Sequence, residues 1–216
     1  MSSIAQPAAS SPAASVSPVS TSWLAISAER ARHFMLRRRV PLSIALFSSL
    51  VIKDMVCGLK PRDVADLSDW GTLVGVALVL AGLTLRSWAA GVLCKETMLT
   101  CTGPYCLIRN PLYVGSFSMM FGFCQLVGDV QNAFVIAGPV LWLYLVKVFD
   151  EERGLAERFP RQWSQYAATT PRFFPRRLSA AMVRDWSLSQ WLGSREYSAV
   201  ASTLMAFVAL KIWRVL

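Results

Sequence analysis

A set of long apolar stretches limits the possible folds of this chain more than any other feature. A membrane-spanning helix needs about 20 mainly apolar residues to cross a hydrocarbon core about 30 Å thick. Five stretches approach that length: residues 40–55, 70–93, 111–128, 133–149 and 197–216. The first is the weakest candidate, because Lys53 and Asp54 interrupt its end. We therefore predict an all-α integral membrane bundle of four to five spanning helices with a cytoplasmic interfacial helix.

Composition supports a membrane protein and argues against a nucleic-acid-binding protein and a metal-binding protein. Hydrophobic residues make up 54% of the 216 residues and charged residues 16%, compared with about 25% charged in soluble domains. The formal charge is +9, but the cations flank apolar stretches, so we expect contact with anionic lipid and no nucleic-acid binding. The five cysteines show no metal-ligand spacing, and His33 is remote from them. No metal site is predicted.

Three regions follow from changes in composition. Residues 1–21 are rich in Ala, Ser and Pro and contain no Lys or Arg, which indicates a disordered tail and not a secretory signal. Residues 22–180 form the predicted membrane domain. Residues 181–216 form a C-terminal extension with an additional apolar helix.

The placement of cations predicts the orientation in the membrane. Cytoplasmic loops carry an excess of Lys and Arg. If the first four stretches span, the basic residues 37–39 and those from Lys147 to Arg177 share one side with Arg109, while the turn at 128–132 has none. The amino terminus is then cytoplasmic, in an inner membrane. The last stretch is left open: a fifth span places Lys211 and Arg214 outside, whereas a surface helix does not.

A polar string stands where the third stretch begins. In Arg109-Asn110-Pro111-Leu112-Tyr113, Asn is a favoured helix N-cap, Pro is favoured at the first helical position, and Tyr suits the membrane interface. Alternatively, the free amides of the helix start and Arg109 bind a carboxylate or phosphate. The preceding Gly103-Pro104-Tyr105 predicts a tight turn that allows close backbone approach to a ligand.

Two further groups of charges have both a structural and a functional interpretation. Asp150-Glu151-Glu152 follows the fourth stretch, where Glu151 can pair with Lys147 one helical turn earlier. Alternatively, one of these carboxylates holds an amine or ribose hydroxyls. Arg86 lies about two turns inside the second stretch, so it either reaches the membrane surface or marks a functional site.

The order of these strings resembles the isoprenylcysteine carboxyl methyltransferase and phospholipid methyltransferase superfamily. The resemblance runs from about Gly82 to Pro175 and rests on the order of several strings. These are Arg86-Ser-Trp88, Thr102-Gly103-Pro104-Tyr105, Arg109-Asn110-Pro111-x-Tyr113-x-Gly115 and, one hairpin later, Glu151-Glu152 followed by Leu155, Phe159, Tyr166 and Pro171-Arg172-x-x-Pro175. It implies an integral membrane enzyme that uses S-adenosylmethionine and methylates an amphiphilic acceptor, which is an isoprenylcysteine-type carboxylate, a lipid or a small prenylated molecule. The partners are the bilayer and this acceptor; the sequence says nothing of oligomeric state.

The resemblance also implies roles for individual residues. Arg109, Asn110 and Lys147 are the candidate catalytic residues, and Arg86 and Lys147 are the candidate substrate-binding residues. The residues implied to hold the cofactor are Thr97, Met98, Leu99, Thr100, Tyr105, Asn110, Pro111, Leu112, Tyr113, Glu151 and Glu152. The family His is Asn110 here, which keeps hydrogen bonding but cannot titrate. Two alternatives stay open: an NADPH-dependent membrane reductase of sterol-reductase type, and a non-catalytic membrane protein with a decayed site.

Overall fold

The computed structural model describes residues 45–66, 68–94, 98–176 and 186–216, which contain helices and no strand. The all-α prediction is confirmed. The predicted tail, residues 1–21, and the predicted cofactor residue Thr97 lie outside the described residues. In chain order, the helices are α1 (residues 45–56), α2 (Trp70–Val92), α3 (Pro111–Val127), α4 (Val130–Arg158), α5 (Pro160–Thr169), α6 (Leu188–Gly193) and α7 (Tyr197–Val215).

Within these residues, three helices are long and apolar enough to cross a membrane: α2, α4 and α7. Helix α3 is also apolar but has only 17 residues. The chain is therefore a helical membrane bundle, as predicted. Helix α4 has 29 residues, which is more than the roughly 20 that a bilayer covers. The last turns of α4, which carry Asp150-Glu151-Glu152, therefore extend beyond the part of the helix that a bilayer covers.

Helix α4 begins earlier than the apolar stretch indicated. Asp129 is its N-cap, and the Asp129 side chain accepts a hydrogen bond from the Gln131 amide at 2.9 Å. The helix then passes through a π-helical turn at Ile136–Val140 that contains Pro139. Because proline has no amide hydrogen and its ring crowds the preceding turn, a wider turn accommodates it without ending the helix.

Helices α2 and α3 approach each other through two pairs of glycines. A Cβ added at Gly82 would lie 2.5 Å from the Gly115 carbonyl oxygen, and one added at Gly122 would lie 2.7 Å from the Gly75 carbonyl oxygen. Both clashes are with backbone, which cannot rotate away. Small residues at membrane helix interfaces permit this close packing. The contact fixes the start of α3 against the last turns of α2, where the candidate site lies.

Helix α7 runs antiparallel to α2 along the bundle. At its start, Glu196 accepts hydrogen bonds from Arg86 at 2.8 and 3.0 Å. Near its end, Arg214 donates to the Pro61 carbonyl at 2.8 Å, and Trp213 joins the buried apolar core. The arrangement favours a spanning helix over a surface helix for α7, the question that the cation pattern left open. Arg214, near the end of α7, has a hydrogen-bond acceptor in the Pro61 carbonyl, at the end of the bundle opposite to Glu196.

We expect Glu196→Ala to loosen the start of α7. Glu196 is buried, and its substitution leaves the Arg86 guanidinium, which is only 24% exposed, without its counter-ion. Breaking a buried pair costs about 3–5 kcal/mol, and the partial exposure of Arg86 places this pair at or below the lower end. Thermal unfolding of detergent-purified protein measures the loss. The exposed Glu157→Ala is the control, and equal unfolding temperatures for the two variants would contradict this structural role.

Candidate functional site

A cavity of about 580 Å³ lies at the end of the bundle where α2 ends and α3 begins. Ligand pockets in proteins typically measure about 300–1,000 Å³. Its walls come from the chain after α2, the short 3-10 turn Gly103–Cys106, the start of α3, the last turns of α4, and α5. We call it the site cavity. The predicted residues that line it are Met98, Leu99, Thr100, Tyr105, Arg109, Asn110, Pro111, Leu112, Tyr113, Lys147, Glu151 and Glu152.

Glu152 is the centre of a buried charge network in one wall. Its carboxylate accepts hydrogen bonds from Arg109 at 3.1 Å, from Arg172 at 2.9–3.1 Å and from the Asn110 amide at 2.9 Å. Glu152 is only 7% exposed. Two guanidinium groups and an amide therefore occupy its lone pairs, which is the arrangement that makes a buried carboxylate tolerable.

The network joins three segments that are distant in sequence. Arg109 and Asn110 precede α3, Glu152 lies in α4, and Arg172 follows α5. A backbone bond reinforces the join, since the Arg109 amide donates to the Pro171 carbonyl at 2.9 Å. Asn110 occupies the N-cap position of α3, as predicted, but its side chain makes no capping hydrogen bond. Its amide is directed to Glu152 instead.

The neighbouring Glu151 has a different environment. Its side chain is 41% exposed, and its ion pair with Lys147 is long, at 3.6 Å. Lys147 is shared with Asp150 at 3.5 Å. Because both glutamates line the cavity but only Glu152 is enclosed by the network, Glu151 is the glutamate that is available to a ligand.

Aromatic side chains form much of the remaining wall. Tyr166 donates a hydrogen bond to the Tyr105 carbonyl at 2.8 Å, and Arg109 lies 5.7 Å from the centre of the Trp163 ring. The Tyr105 hydroxyl is buried and has no hydrogen-bond partner within the described residues. Burial raises the pKa of Tyr105 and of Tyr166, so both hydroxyls stay protonated and can donate. A buried donor without a partner calls for an acceptor from a ligand or water.

Comparison with known proteins identifies the family. The family model for phospholipid methyltransferase matches residues 70–162, which run from the start of α2 to the start of α5. The nickel-cobalt-cadmium resistance protein NccN of Alcaligenes xylosoxydans xylosoxydans is 30% identical over 145 residues, which cover 66% of this chain and 67% of that protein. The chain belongs to the phospholipid methyltransferase family. The predicted resemblance is therefore confirmed.

Two other relatives of this methyltransferase-family chain carry different names. The cobalt-zinc-cadmium resistance protein CzcN of Cupriavidus metallidurans is 29% identical over 143 residues, or 65% of this chain and 59% of that protein. The protein-S-isoprenylcysteine O-methyltransferase of Schizosaccharomyces pombe is 29% identical over 100 residues, or 46% of this chain and 42% of that protein. The chain thus spans less than two thirds of either relative. No solved structure matches.

Among the predicted site residues of this methyltransferase-family chain, Arg86 lies away from the others. It does not line the site cavity; its guanidinium binds Glu196 and the Ser116 hydroxyl instead. It lines a separate cavity deeper in the bundle. No group of three or more His, Cys, Asp or Glu side chains that could hold a metal ion lies within the described ranges.

Sequence reasoning missed Arg172 as a part of the site. It stands in an irregular segment after α5, where no helical period marks its direction. Besides binding Glu152, its guanidinium lies 4.6 Å from the centre of the Phe149 ring. The string Pro171-Arg172-x-x-Pro175 belongs to the family resemblance and indicates a rigid turn, but it gives no partner for Arg172.

Proposed function

We propose that this membrane methyltransferase-family protein transfers a methyl group from S-adenosylmethionine to an amphiphilic acceptor. One observation carries the proposal. A single cavity gathers the Asn110–Tyr113 string, Tyr105 and Glu151, the residues that the family resemblance associates with this cofactor. We further propose that the cavity faces the cytoplasm at the inner membrane, in line with the cations around it.

The chemistry of the wall fits this cofactor, which has an amino-acid head, a ribose and a sulfonium cation. The first amides of α3 have no intrahelical acceptor and can bind a carboxylate. The Glu151 side chain, which is 41% exposed and only weakly paired with Lys147, suits an ammonium group or ribose hydroxyls. The rings of Tyr113 and Phe159 line the same cavity, and aromatic faces attract a cation. The unpartnered Tyr105 hydroxyl adds a donor for a ligand oxygen.

We propose that polar residues of the cavity position the acceptor and that none of them acts as a general base. When bound, S-adenosylmethionine would supply an electrophilic methyl group to a carboxylate oxygen, and the products would be a neutral thioether and an ester. No proton is released in that exchange, so a carboxylate acceptor needs no base. Asn110 cannot titrate, and its amide is engaged by Glu152. Three cations line the cavity, Lys147, Arg109 and Arg158, and we propose that Lys147 and Arg109 orient an anionic acceptor.

The proposal predicts that Glu151→Gln weakens cofactor binding. Losing a charge-assisted hydrogen bond costs about 1.5–3 kcal/mol, or roughly a factor of 10–150 in dissociation constant. Isothermal titration of detergent-purified protein with S-adenosylmethionine measures it. The matched control is Glu157→Gln, an exposed acid on the same helix, which should bind like the wild type.

The same titration separates the alternatives. Binding of NADPH but not S-adenosylmethionine would support the reductase. Binding of neither would support a decayed, non-catalytic site. Unchanged affinity in both Glu151→Gln and Tyr113→Ala would reject the residue assignment even if the cofactor binds.

A further inference from the structure

Residues 186–196, which include α6 and lead into α7, pack against the last turns of α2. The Trp186 indole donates to the Ser87 carbonyl at 3.3 Å, and it occupies the place that a Cβ at Gly91 would take. Residues 93 and 94, directly after α2, line the site cavity. The segment therefore forms an outer layer behind the α2 wall of that cavity, although the match to the family model ends at residue 162.

A strained turn in this segment brings Glu196 to Arg86. Arg195 has a φ of +56°, a left-handed conformation that non-glycine residues seldom adopt. Such a conformation persists where the surrounding contacts fix it. Directly after it, the buried Glu196 accepts from the Arg86 guanidinium with both carboxylate oxygens, at 2.8 and 3.0 Å. The turn thus places a counter-ion beside an arginine that lies inside a spanning helix, where a cation needs a partner.

Arg86 extends this contact to the start of α3. Its Nη1 donates to the Ser116 hydroxyl, and that hydroxyl donates to the Leu112 carbonyl at 2.8 Å. Leu112 lies in the first turn of α3 and lines the site cavity. Because the other two guanidinium nitrogens are held by Glu196, each of the three nitrogens of Arg86 has an acceptor. The direction of Nη1 towards α3 therefore depends on Glu196.

The Arg86–Glu196 pair also lies near the buried Tyr105 hydroxyl in the cavity wall. Burial raises the pKa of Tyr105. The charges of Glu151 and Glu196 raise this pKa further, and the charge of Arg86 lowers it. Charges act on a titratable group in this way at short range. The pair therefore stands close behind the cavity wall at Tyr105 as well as at Leu112.

We propose that Glu196 is a positioning residue of the cofactor site. It fixes the Arg86 guanidinium, which through Ser116 holds the start of α3 and with it the Asn110–Tyr113 string. This inference rests on the methyltransferase function proposed above. Glu196 does not line the site cavity, so it acts through these contacts and not by touching the cofactor. The C-terminal segment, which lies outside the family match, is then a part of the working site.

Two matched variants separate positioning from a general loss of stability. Glu196→Gln neutralises the buried acid that pairs with Arg86. Asp54→Asn neutralises another buried acid, which binds Lys53 and Asn132. Asn132 is in the first turn of α4, so this second acid lies at the end of the bundle opposite to the site cavity. Binding of S-adenosylmethionine is titrated by calorimetry in full-length, detergent-purified proteins, and unfolding temperatures are measured in the same preparations.

Both substitutions should lower the unfolding temperature, but only Glu196→Gln should weaken cofactor binding. We expect its dissociation constant to rise about tenfold, or about 1.4 kcal/mol, and that of Asp54→Asn to stay within about twofold of the wild type. A wild-type dissociation constant for Glu196→Gln would overturn the proposal. Equal weakening in the two variants would overturn it as well, because the loss would then follow from stability and not from position.

Ser116→Ala tests the link between Arg86 and α3 and leaves the Arg86–Glu196 pair in place. Ser118→Ala is its control, because the Ser118 hydroxyl donates to the Leu78 carbonyl of α2 at 2.7 Å and neither residue lines the site cavity. Only Ser116→Ala should weaken binding, and equal affinities in the two serine variants would contradict the proposal. The double variant Glu196→Gln/Ser116→Ala should bind like Glu196→Gln, because both substitutions interrupt one chain of contacts. Effects that multiply would indicate independent action, against the proposal.

Hydrogen exchange provides a measurement that needs no cofactor. We expect the amides of residues 114–117, near the start of α3, to exchange about tenfold faster in Glu196→Gln than in the wild type, and at the wild-type rate in Asp54→Asn. Wild-type exchange there in Glu196→Gln would overturn the positioning role. If exchange changes as expected but the wild type does not bind S-adenosylmethionine, the proposed function alone is rejected and the positioning of α3 by Glu196 stands.

Discussion

Glu152→Gln is expected to destabilise the folded protein and to abolish cofactor binding together. The substitution leaves the guanidinium groups of Arg109 and Arg172 facing a neutral amide, although the Arg109 side chain is only 14% exposed. Leaving a buried charge unpaired costs about 3–5 kcal/mol. Because Arg172 is more open to solvent than Arg109, we expect a loss near 3 kcal/mol. Thermal unfolding and titration with S-adenosylmethionine measure the two effects.

Two variants separate this network role from direct ligand contact. Glu151→Gln changes the adjacent acid, which is exposed and weakly paired, so its unfolding temperature should match the wild type while its cofactor affinity falls. The double variant Glu152→Gln/Arg172→Gln removes one of the orphaned cations and should be more stable than the sum of its single variants indicates. A wild-type unfolding temperature for Glu152→Gln would mean that Glu152 serves the ligand and not the scaffold.

That the site residues lie close together could be predicted from the sequence, because they stand near helix ends. Tyr113 lies in the first turn of α3 and Glu151 lies near the end of α4, and a short turn joins these two helices as a hairpin. A hairpin of two spans returns the chain to the same membrane surface, so the two strings had to lie on one side. Their order then matched a known family, which supplied the expected cofactor residues.

The interactions that hold the site together could not be predicted in the same way. Glu196 pairs with Arg86 across 110 positions, and Arg172 reaches Glu152 from an irregular segment. Apolar periodicity reports which face of a helix is buried, but it does not identify the partner of a charge on another element. Asn110 shows the same limit, since local rules favour capping while the tertiary partner Glu152 takes its amide.

One tertiary contact did have a readable signal in the sequence. Gly75 and Gly82 are seven residues apart in α2, and Gly115 and Gly122 are seven apart in α3. This spacing places small residues on one face of each apolar helix, which is typical of closely packed membrane helices. Turn rules alone, which explain glycines such as Gly103, do not pair α2 with α3.

Gly82→Ala is expected to force α2 and α3 apart. The new methyl group would lie 2.5 Å from the Gly115 carbonyl oxygen and 2.9 Å from the Met119 amide nitrogen. Overpacking typically costs about 1–3 kcal/mol, and we expect the upper end because backbone atoms block relief by side-chain rotation. The site should suffer too, since α3 carries Asn110–Tyr113 at its start. The unfolding temperature and the affinity for S-adenosylmethionine should both fall.

Gly138→Ala provides the matched control, because an added Cβ there meets nothing within 4 Å. Alanine is also the better helix former by about 1 kcal/mol, so this variant should be as stable as the wild type or more so. The reciprocal Gly115→Ala meets the Gly82 carbonyl oxygen at 2.7 Å and should reproduce the defect of Gly82→Ala. If both interface variants unfold like Gly138→Ala, the two helices can separate without cost. The position of the α3 start, and with it the cofactor wall, would then depend on the Glu152 network and not on the glycine contact.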